Sequence, residues 1–222
     1  MHILHCTDLH ANDRWYRWLA EESPRYDLVC LTGDLLDLNL YRSTDGQLER
    51  VMAHLQKIER PLAICSGNHD SVAGADLRLH HAAWLQALRR EDLWIDGDRF
   101  EFGGFSFRCI PWQGLLPNAS PDEVWLIHSP PDRVPTGIAR GGAGFGDSIF
   151  GEQCRAGLGP RLALSGHVHE PQSWRVKVGR TWSLNPGCEE KSDRPRHIVI
   201  DLTRNRMIYA DLDRTKDIFL LE

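Results

Sequence analysis

Residues 2–10 read HILHCTDLH, a short apolar run of strand type that breaks into a loop carrying Asp8 and His10. The same pattern recurs in the first half of the chain at 26–34 and at 62–70. After these runs, apolar residues repeat at helical spacing and predict helices over about 14–22, 45–59 and 77–88. Strands that alternate with helices indicate right-handed parallel crossovers, in which the carboxyl ends of the strands share one edge of the sheet.

The second half of the chain has a different pattern. Alternating apolar runs separated by turn residues predict three hairpins, at 99–110, 174–184 and 196–212. Two single strands, at 124–127 and 161–164, run into His128 and into the sequence GHVH at 166–169. Together the two halves predict one α/β domain over residues 1–222, built from two stacked β-sheets flanked by helices.

Composition disfavours several classes of protein. The chain has 222 residues and a formal net charge of −5, which argues against broad binding to nucleic-acid phosphates. Its apolar runs are too short to span a bilayer, and no basic region followed by an apolar stretch opens the sequence. The six cysteines form no CxxC pair and most lie in apolar runs, so we expect reduced, buried thiols. We therefore expect a cytoplasmic protein without a membrane partner or a stable nucleic-acid partner.

The residues that follow the predicted strands are of the types that bind divalent cations. In extended backbone, the side chains at positions i and i+2 face the same way, so Asp8 and His10 could both reach one cation. The same reasoning applies to His167 and His169. A carboxylate such as that of Asp34 can bridge two cations, and an asparagine amide oxygen is a neutral ligand. The seven candidate ligands are Asp8, His10, Asp34, Asn68, His128, His167 and His169.

These ligands are enough for two divalent cations if Asp34 is counted twice, with four ligands to each. The mixture of imidazole and carboxylate suits Mn²⁺ or Fe, with Zn²⁺ as the alternative, better than Ca²⁺. In an extended loop His69 would point away from Asn68 and its cation, which favours proton transfer over coordination for that histidine. The pattern predicts an enzyme that hydrolyses a small phosphate ester, for example a nucleotide.

The order and spacing of these blocks, from Asp8 to His169, resemble those of the calcineurin-like metallophosphoesterase superfamily. The resemblance implies a four-layer α-β-β-α sandwich, in which two mixed β-sheets pack face to face and helices flank them. It also implies which residues share a metal ion. One ion would be held by Asp8, His10, Asp34 and His169. The other would be held by Asp34, Asn68, His128 and His167.

The resemblance further implies a catalytic pair, with His69 as the general acid that protonates the leaving alkoxide and Asp37 as the carboxylate that orients it. The nucleophile it implies is a metal-bridging hydroxide that attacks phosphorus in line. Protein phosphatases of the superfamily carry an arginine–glycine pair after the Asp37 equivalent and a glutamate after the motif histidine. Leu38, Asn39 and Asp70 stand at those positions here, which disfavours a protein phosphatase and favours hydrolysis of a phosphodiester.

The sequence leaves three alternatives open: a phosphomonoesterase or nucleotidase of the same fold, a nuclease, and a metal-binding scaffold without catalysis. Nucleases of the superfamily carry added DNA-binding regions that 222 residues do not hold, and scaffolds usually lack one of the ligands. The long stretch after His128 is predicted to be irregular, with a lid-like part at about 130–147. Its glycines at 137–146 could instead cradle a phosphate. The sequence assigns no residue to substrate binding.

Overall fold

A computed structural model of the chain describes residues 1–38, 46–71, 82–210 and 216–220. Within these ranges the chain forms three α-helices and thirteen β-strands. The helices are α1 (Asp13–Glu22), α2 (Gln47–Leu55) and α3 (Ser148–Arg155). The strands are β1 (His2–Cys6), β2 (Leu28–Thr32), β3 (Leu62–Cys65), β4 (Leu93–Trp94), β5 (Arg99–Phe102), β6 (Phe105–Ile110), β7 (Val124–Ile127), β8 (Leu162–Leu164), β9 (Arg175–Val178), β10 (Thr181–Leu184), β11 (His197–Asp201), β12 (Arg206–Ala210) and β13 (Lys216–Leu220).

The first sheet has seven strands in the order β13-β12-β11-β1-β2-β3-β4. Strands β1 to β4 are parallel, with Ile3 opposite Leu28 and Val29 opposite Leu62. Strands β11, β12 and β13 extend the sheet beyond β1 as an antiparallel set. Helix α1 connects β1 to β2 and helix α2 connects β2 to β3, which are the crossovers predicted from the sequence. The carboxyl ends of β1, β2 and β3 therefore share one edge.

The second sheet has six strands in the order β5-β6-β7-β8-β10-β9. Strands β6, β7 and β8 are parallel to one another, and β10 is parallel to β8. Two of the three predicted hairpins, β5–β6 and β9–β10, form the outer parts of this sheet, and the third is β11–β12 of the first sheet. The carboxyl ends of β7 and β8 consequently lie side by side.

The side chains of the central strands alternate between two buried faces, as expected for strands covered on both sides. In β2, Leu28 belongs to the core between the two sheets, whereas Val29 belongs to the core shared with α1 and α2. In β7, Leu126 faces the first sheet and Trp125 packs with Phe150 of α3. The molecule is thus the four-layer α/β sandwich that the family resemblance implies, with the two mixed sheets in the middle.

Two of the helices begin at residues with short polar side chains. The side-chain oxygen of Asn12 accepts a hydrogen bond from the backbone N–H of Arg14 at 3.1 Å, and Trp15 is buried one residue further along α1. Oδ1 of Asp147 accepts from the backbone N–H of Phe150 at 2.7 Å at the start of α3. Such caps stabilise a helix by about 1 kcal/mol each, because they satisfy N–H groups that have no partner within the helix.

The strands predicted from apolar runs are confirmed, with small differences at their ends. Elements β4, β13 and α3 are additions that the apolar pattern does not predict. Helix α3 lies within the stretch after His128 that the sequence predicts to be irregular, so that prediction is wrong there. The helix predicted over 77–88 is described only as a 3-10 helix at Ala83–Leu88, and residues 72–81 lie outside the described ranges.

Two predictions made from composition, on the cysteines and on membrane-spanning segments, can be compared with the structure. All six cysteines are buried and form no disulfide, as predicted. Burial raises the pKa of the Cys154 thiol to about 11, so this side chain stays protonated at neutral pH. In the part of the chain that the structure describes, none of the helices is both long enough and apolar enough to cross a bilayer.

Candidate metal centre

The candidate ligands lie on loops at the carboxyl ends of parallel strands from both sheets. The loops that follow β1, β2, β3, β7 and β8 carry Asp8, Asp34, Asn68, His128 and His167. Two hydrogen bonds join these loops across the two sheets. The backbone N–H of His167 donates to the Asp8 carboxylate at 3.1 Å, and Nδ1 of His128 donates to the carbonyl oxygen of Thr32 at 2.7 Å.

Several of the ligand residues adopt a backbone conformation that is rare outside glycine. The φ angles of Asp8, His10, Asp34 and His167 are 52°, 44°, 52° and 67°. This conformation costs an L-residue roughly 1–2 kcal/mol and persists where the surrounding structure imposes it, commonly at functional sites. The expectation that Asp8 and His10 share an extended segment is therefore wrong. A tight turn, and not strand alternation, brings their side chains to the same place.

Two glycines beside the ligands are required by close packing. A Cβ atom on Gly166 would collide with Oγ1 of Thr7 and with the carboxylate of Asp8. A Cβ atom on Gly67 would collide with the backbone nitrogen and the carboxylate of Asp34. Each of these two carboxylates consequently packs directly against the backbone of a neighbouring loop, which fixes its position.

The first cluster consists of Asp8, His10 and His169. Nε2 of His10 lies 3.0 Å from Nε2 of His169, and Nε2 of His169 lies 3.5 Å from Oδ1 of Asp8. The other oxygen of this carboxylate, Oδ2, accepts a hydrogen bond from the Thr7 hydroxyl at 2.7 Å. Burial alone would raise the pKa of Asp8, but the hydrogen bond with His169 and the charges of nearby histidines hold that pKa well below its usual range.

The second cluster consists of Asp34, His128 and His167, whose ligand atoms all lie within 4.8 Å of one another. Nε2 of His128 lies 3.3 Å from Oδ2 of Asp34 and 3.1 Å from Oδ1 of Asn68. The rings of His128 and His167 are in edge contact, with centroids 5.0 Å apart. The structure therefore separates His167 from His169, although only one residue lies between them in the sequence.

The hydrogen bonding of His128 tests whether this cluster fits a metal ion. The Thr32 carbonyl can only accept, so Nδ1 of His128 carries the donated proton and Nε2 of the neutral ring presents a lone pair. That lone pair faces the carboxylate oxygen of Asp34 and the amide oxygen of Asn68. Three lone pairs directed at one another repel unless a positive charge lies among them. A divalent cation satisfies all three, and a carbonyl behind a histidine is the usual support of a metal ligand.

The pKa values of the histidines agree with that fit. Burial alone would lower the pKa of His128, yet the Asp34 carboxylate raises it to about 9, so at neutral pH a proton on Nε2 supplies the positive charge there unless a metal ion replaces it. Burial lowers the pKa of His10, and it lowers the pKa of His167 to about 4. At neutral pH these two imidazoles are uncharged, so their lone pairs are available to a metal ion.

His69 lies beside both clusters. Its backbone N–H donates to Oδ1 of Asp34 at 2.8 Å, and its ring centroid lies 5.0 Å from that of His10. Nδ1 of His69 is buried and has no hydrogen-bond partner among the described residues. The backbone N–H and carbonyl of Asp37 are held by the side chain of Gln47, at 2.7 and 3.2 Å. The pairing of Asp37 with His69 stays a prediction.

Asp70 has a role that the sequence does not reveal. Its fully buried carboxylate accepts three backbone hydrogen bonds, from Leu35 and Leu36 at 2.8 and 3.0 Å and from Gly67 at 2.8 Å. It thereby ties the loop after β2 to the loop after β3. The signal available in the sequence is an acidic residue after the GNH motif, and this signal does not distinguish a ligand from a carboxylate that holds two loops together.

A cavity of about 380 Å³ opens beside the two clusters. Its lining includes candidate ligands and the candidate acid, namely Asp34, Asn68, His69, His167 and His169. The remaining lining residues are Ala139, Phe145, Val168 and Glu170. Among the described residues no lysine or arginine lines this cavity. A molecule bound there could therefore contact both metal ligands and apolar groups.

Solved structures of other proteins share this fold at low sequence identity. The protein TT1561 from Thermus thermophilus aligns with a TM-score of 0.57 at 14% identity, over 99% of this chain and 98% of that one. Yfce, a phosphoesterase from E. coli, aligns with a TM-score of 0.50 at 14% identity, over 100% of both chains. At such identities the similarity shows the fold alone.

Comparison by sequence identifies the family. No curated protein matches the chain. The model of the family described as calcineurin-like phosphoesterase matches residues 1–171, a range that contains every candidate ligand from Asp8 to His169. That match spans more than half of the 222 residues. The chain therefore belongs to the calcineurin-like phosphoesterase family.

Proposed function

We propose that this chain is a dinuclear metal-dependent hydrolase of small phosphodiesters. The observation that carries the proposal is the position of Asp34. Its carboxylate groups with His128 and His167, and also with His10 and His69, with the ligand atoms of each set within 4.8 Å of one another. Because His10 belongs to the first cluster as well, Asp34 lies between the two clusters and is suited to bridge two closely spaced cations. The relative Yfce is described as a phosphoesterase, which supports the same class of reaction.

Two divalent cations, when bound, would polarise the phosphoryl group and lower the pKa of the attacking water. The donor set favours Mn²⁺ or Fe, with Zn²⁺ as the alternative. The proposed ligands of the first ion are Asp8, His10, Asp34 and His169. The proposed ligands of the second ion are Asp34, Asn68, His128 and His167.

His69 is the proposed general acid. Its side chain lines the cavity, and its backbone is held by the carboxylate of Asp34. A histidine in this place can deliver a proton to the leaving alkoxide without giving up a metal ion. We propose Asp37 as the residue that orients it.

The charge of the cavity favours a diester over a monoester. A monoester carries about two negative charges at neutral pH, and a diester carries one. The cavity presents the carboxylates of Asp34 and Glu170 and, among the described residues, no lysine or arginine to offset a second charge. Two bound cations would attract either ester, but the described lining offers no side-chain cation to a second negative charge that the metal ions do not neutralise, so we favour the singly charged diester. The net charge of −5 likewise favours a small substrate over a nucleic acid.

The experiment is to load the protein with Mn²⁺ and compare bis-p-nitrophenyl phosphate with p-nitrophenyl phosphate. We expect kcat/KM to be at least about tenfold higher for the diester, and we expect chelation to abolish turnover of both. Asn68→Ala should lose most of the activity because one ion loses a ligand. The matched control is Asn118→Ala, an exposed asparagine outside the cavity, which should retain it.

Two outcomes would contradict the proposal in different ways. A higher kcat/KM for the monoester would favour the second candidate function, a phosphomonoesterase of the same fold. No turnover of either ester by protein that holds two metal ions would favour a metal-binding scaffold.

A further inference from the structure

The glycine-rich segment 137–146 forms a short hairpin at the wall of the cavity. Ile138 and Gly144 are bridged antiparallel, and the backbone N–H of Ala139 donates to the carbonyl of Ala143 at 2.8 Å. The backbone N–H of Phe145 donates to the carbonyl of Gly137 at 2.9 Å. These hydrogen bonds give a segment with many glycines a defined shape.

The hairpin is also fixed to the loop that carries His169. The backbone N–H of Arg140 donates to the carbonyl of Glu170 at 2.8 Å, and that of Gln172 donates to the carbonyl of Ile138 at 2.9 Å. The N–H groups of Ala139, Arg140 and Phe145 are therefore all used within the protein. These three N–H groups cannot also cradle a phosphate, and the hairpin presents the apolar side chain of Phe145 to the cavity, so we assign it to the organic part of a substrate.

Phe145 is placed for such a contact. It lines the cavity, 52% of its side chain is exposed, and its ring meets the ring of His167 edge-on with centroids 6.3 Å apart. An exposed phenylalanine contributes little to the stability of the folded protein, because half of its apolar surface stays in water. Ala139 and the almost fully buried Val168 also line the cavity. A flat apolar group bound there would cover the apolar surface of Phe145.

We propose that Phe145 makes the site selective for phosphodiesters whose retained ester group is a flat aromatic ring, and that the hairpin 137–146 is the element that sets this preference. The inference rests on the proposed phosphoesterase function and adds the class of substrate. The aromatic ring that stays on phosphorus would pack on Phe145 while the phosphoryl oxygens face the metal ligands. Aromatic rings pair favourably in offset or edge-to-face contact, and burying such a contact is worth about tenfold in binding.

The test uses two diesters with the same leaving group, phenyl p-nitrophenyl phosphate and methyl p-nitrophenyl phosphate. For the wild-type protein loaded with Mn²⁺ we expect kcat/KM to be about tenfold higher for the phenyl ester, mainly through a lower KM. Phe145→Ala should bring the phenyl-to-methyl ratio close to one, and Phe145→Trp should preserve the preference. The control is Ile149→Ala, which removes an exposed apolar side chain that does not line the cavity and should leave the ratio unchanged.

A binding measurement keeps this inference separate from the reaction. Calorimetric titration of the metal-loaded protein with phenylphosphonate and with methylphosphonate should give about tenfold tighter binding of the phenyl compound. Phe145→Ala should remove that difference. Turnover of both diesters at equal kcat/KM would overturn the aromatic preference and leave the phosphoesterase intact. If neither ester is hydrolysed, the phosphoesterase proposal fails, and equal binding of the two phosphonates would then overturn this inference as well.

Discussion

Nε2 of His10 and Nε2 of His169 lie 3.0 Å apart, although the two residues are separated by 159 positions in the sequence. In the metal-free protein a single proton can be shared between these nitrogens. A divalent cation would satisfy both of them and the carboxylate of Asp8 together. We therefore expect metal to stabilise the folded state, by about 2.7 kcal/mol when its concentration is 100 times the Kd. Thermal unfolding in EDTA and in Mn²⁺ measures this shift.

Two variants separate specific coordination from a general effect of metal. His169→Ala should lower the number of bound ions per chain and reduce the Mn²⁺-induced rise in Tm. His2→Ala replaces an exposed histidine of β1 outside the clusters and should change neither quantity. Equal Tm shifts in both variants would count against coordination at this site.

Replacing His69 separates proton transfer from metal binding. We expect His69→Gln to lower kcat by about 10²–10⁴ for a diester whose leaving group is a basic alkoxide, because general acid catalysis is lost. Metal content should stay near that of the wild type, since the ligands proposed for the two ions do not include His69. Elemental analysis beside the rate measurement checks both points. If His69→Gln loses metal as Asn68→Ala does, His69 is a ligand and the assignment of the acid is wrong.

The carboxylate of Asp70 is expected to hold two ligand loops in place. Asp70→Asn replaces one of the two acceptor oxygens with an NH₂ group. That NH₂ group would face a backbone N–H, and because both groups are donors, the backbone N–H would lose its acceptor. An unsatisfied buried group of this kind costs about 1–3 kcal/mol, so the free energy of unfolding should fall by that amount. Urea unfolding measures it. Asp122→Asn changes an exposed carboxylate and should stay within about 0.5 kcal/mol of the wild type.

A methyl group at Gly166 is expected to disturb the first cluster. Because the Cβ atom of Gly166→Ala would collide with Thr7 and Asp8, we expect a loss of about 1–3 kcal/mol in unfolding free energy together with weaker metal binding. Gly141→Ala is the matched control, since a Cβ atom there meets no atom within 4 Å. Unchanged metal affinity in Gly166→Ala would show that the carboxylate of Asp8 can move without consequence.

His5 provides a prediction about acid stability. This histidine is fully buried in β1, where Nε2 lies 2.9 Å from Oγ1 of Thr32, and burial lowers its pKa to about 3. The unfolded chain takes up the proton near pH 6.5, whereas the folded chain does so only near pH 3, so falling pH favours unfolding throughout that interval. Relative to His5→Gln, the wild type should lose about 1.4 kcal/mol of unfolding free energy per pH unit between pH 6 and 4.

The measurement is urea unfolding in EDTA at several pH values, so that metal ligands titrate alike in both proteins. The quantity of interest is the difference between the two proteins at each pH. A difference that does not change between pH 6 and 4 would mean that the imidazole of His5 is protonated in the folded state.

The parts of the fold that depend on burial could be predicted from the sequence. Strands buried on both faces, such as 62–65, are continuous apolar runs and are visible without a structure. Strand β4 has only two residues, and α3 contains Gly151 in its middle, which lowers helix propensity. Neither shows the periodicity on which sequence reasoning depends. Their positions are determined by packing against residues that are distant in the chain.

The types of residue at the metal centre could be predicted as well, because few structural roles require imidazoles and carboxylates at strand ends. Their grouping could not be derived from spacing alone. His167 and His169 belong to different clusters because the backbone of His167 turns through a φ of 67°. The three hydrogen bonds accepted by Asp70 and the hairpin that presents Phe145 depend on contacts between separate loops, which a single sequence does not encode in any local pattern.

Each cluster takes its side chains from both sheets. Asp8 and His10 follow β1 of the first sheet and meet His169, which follows β8 of the second, while Asp34 and His128 form the corresponding pair in the other cluster. Bound metal would therefore connect the two sheets through coordination bonds. Sliding or parting the sheets would require coordination bonds to break before the core between them could open. Metal should then slow unfolding itself, and the lifetime of the folded molecule would depend on how long the ions stay bound.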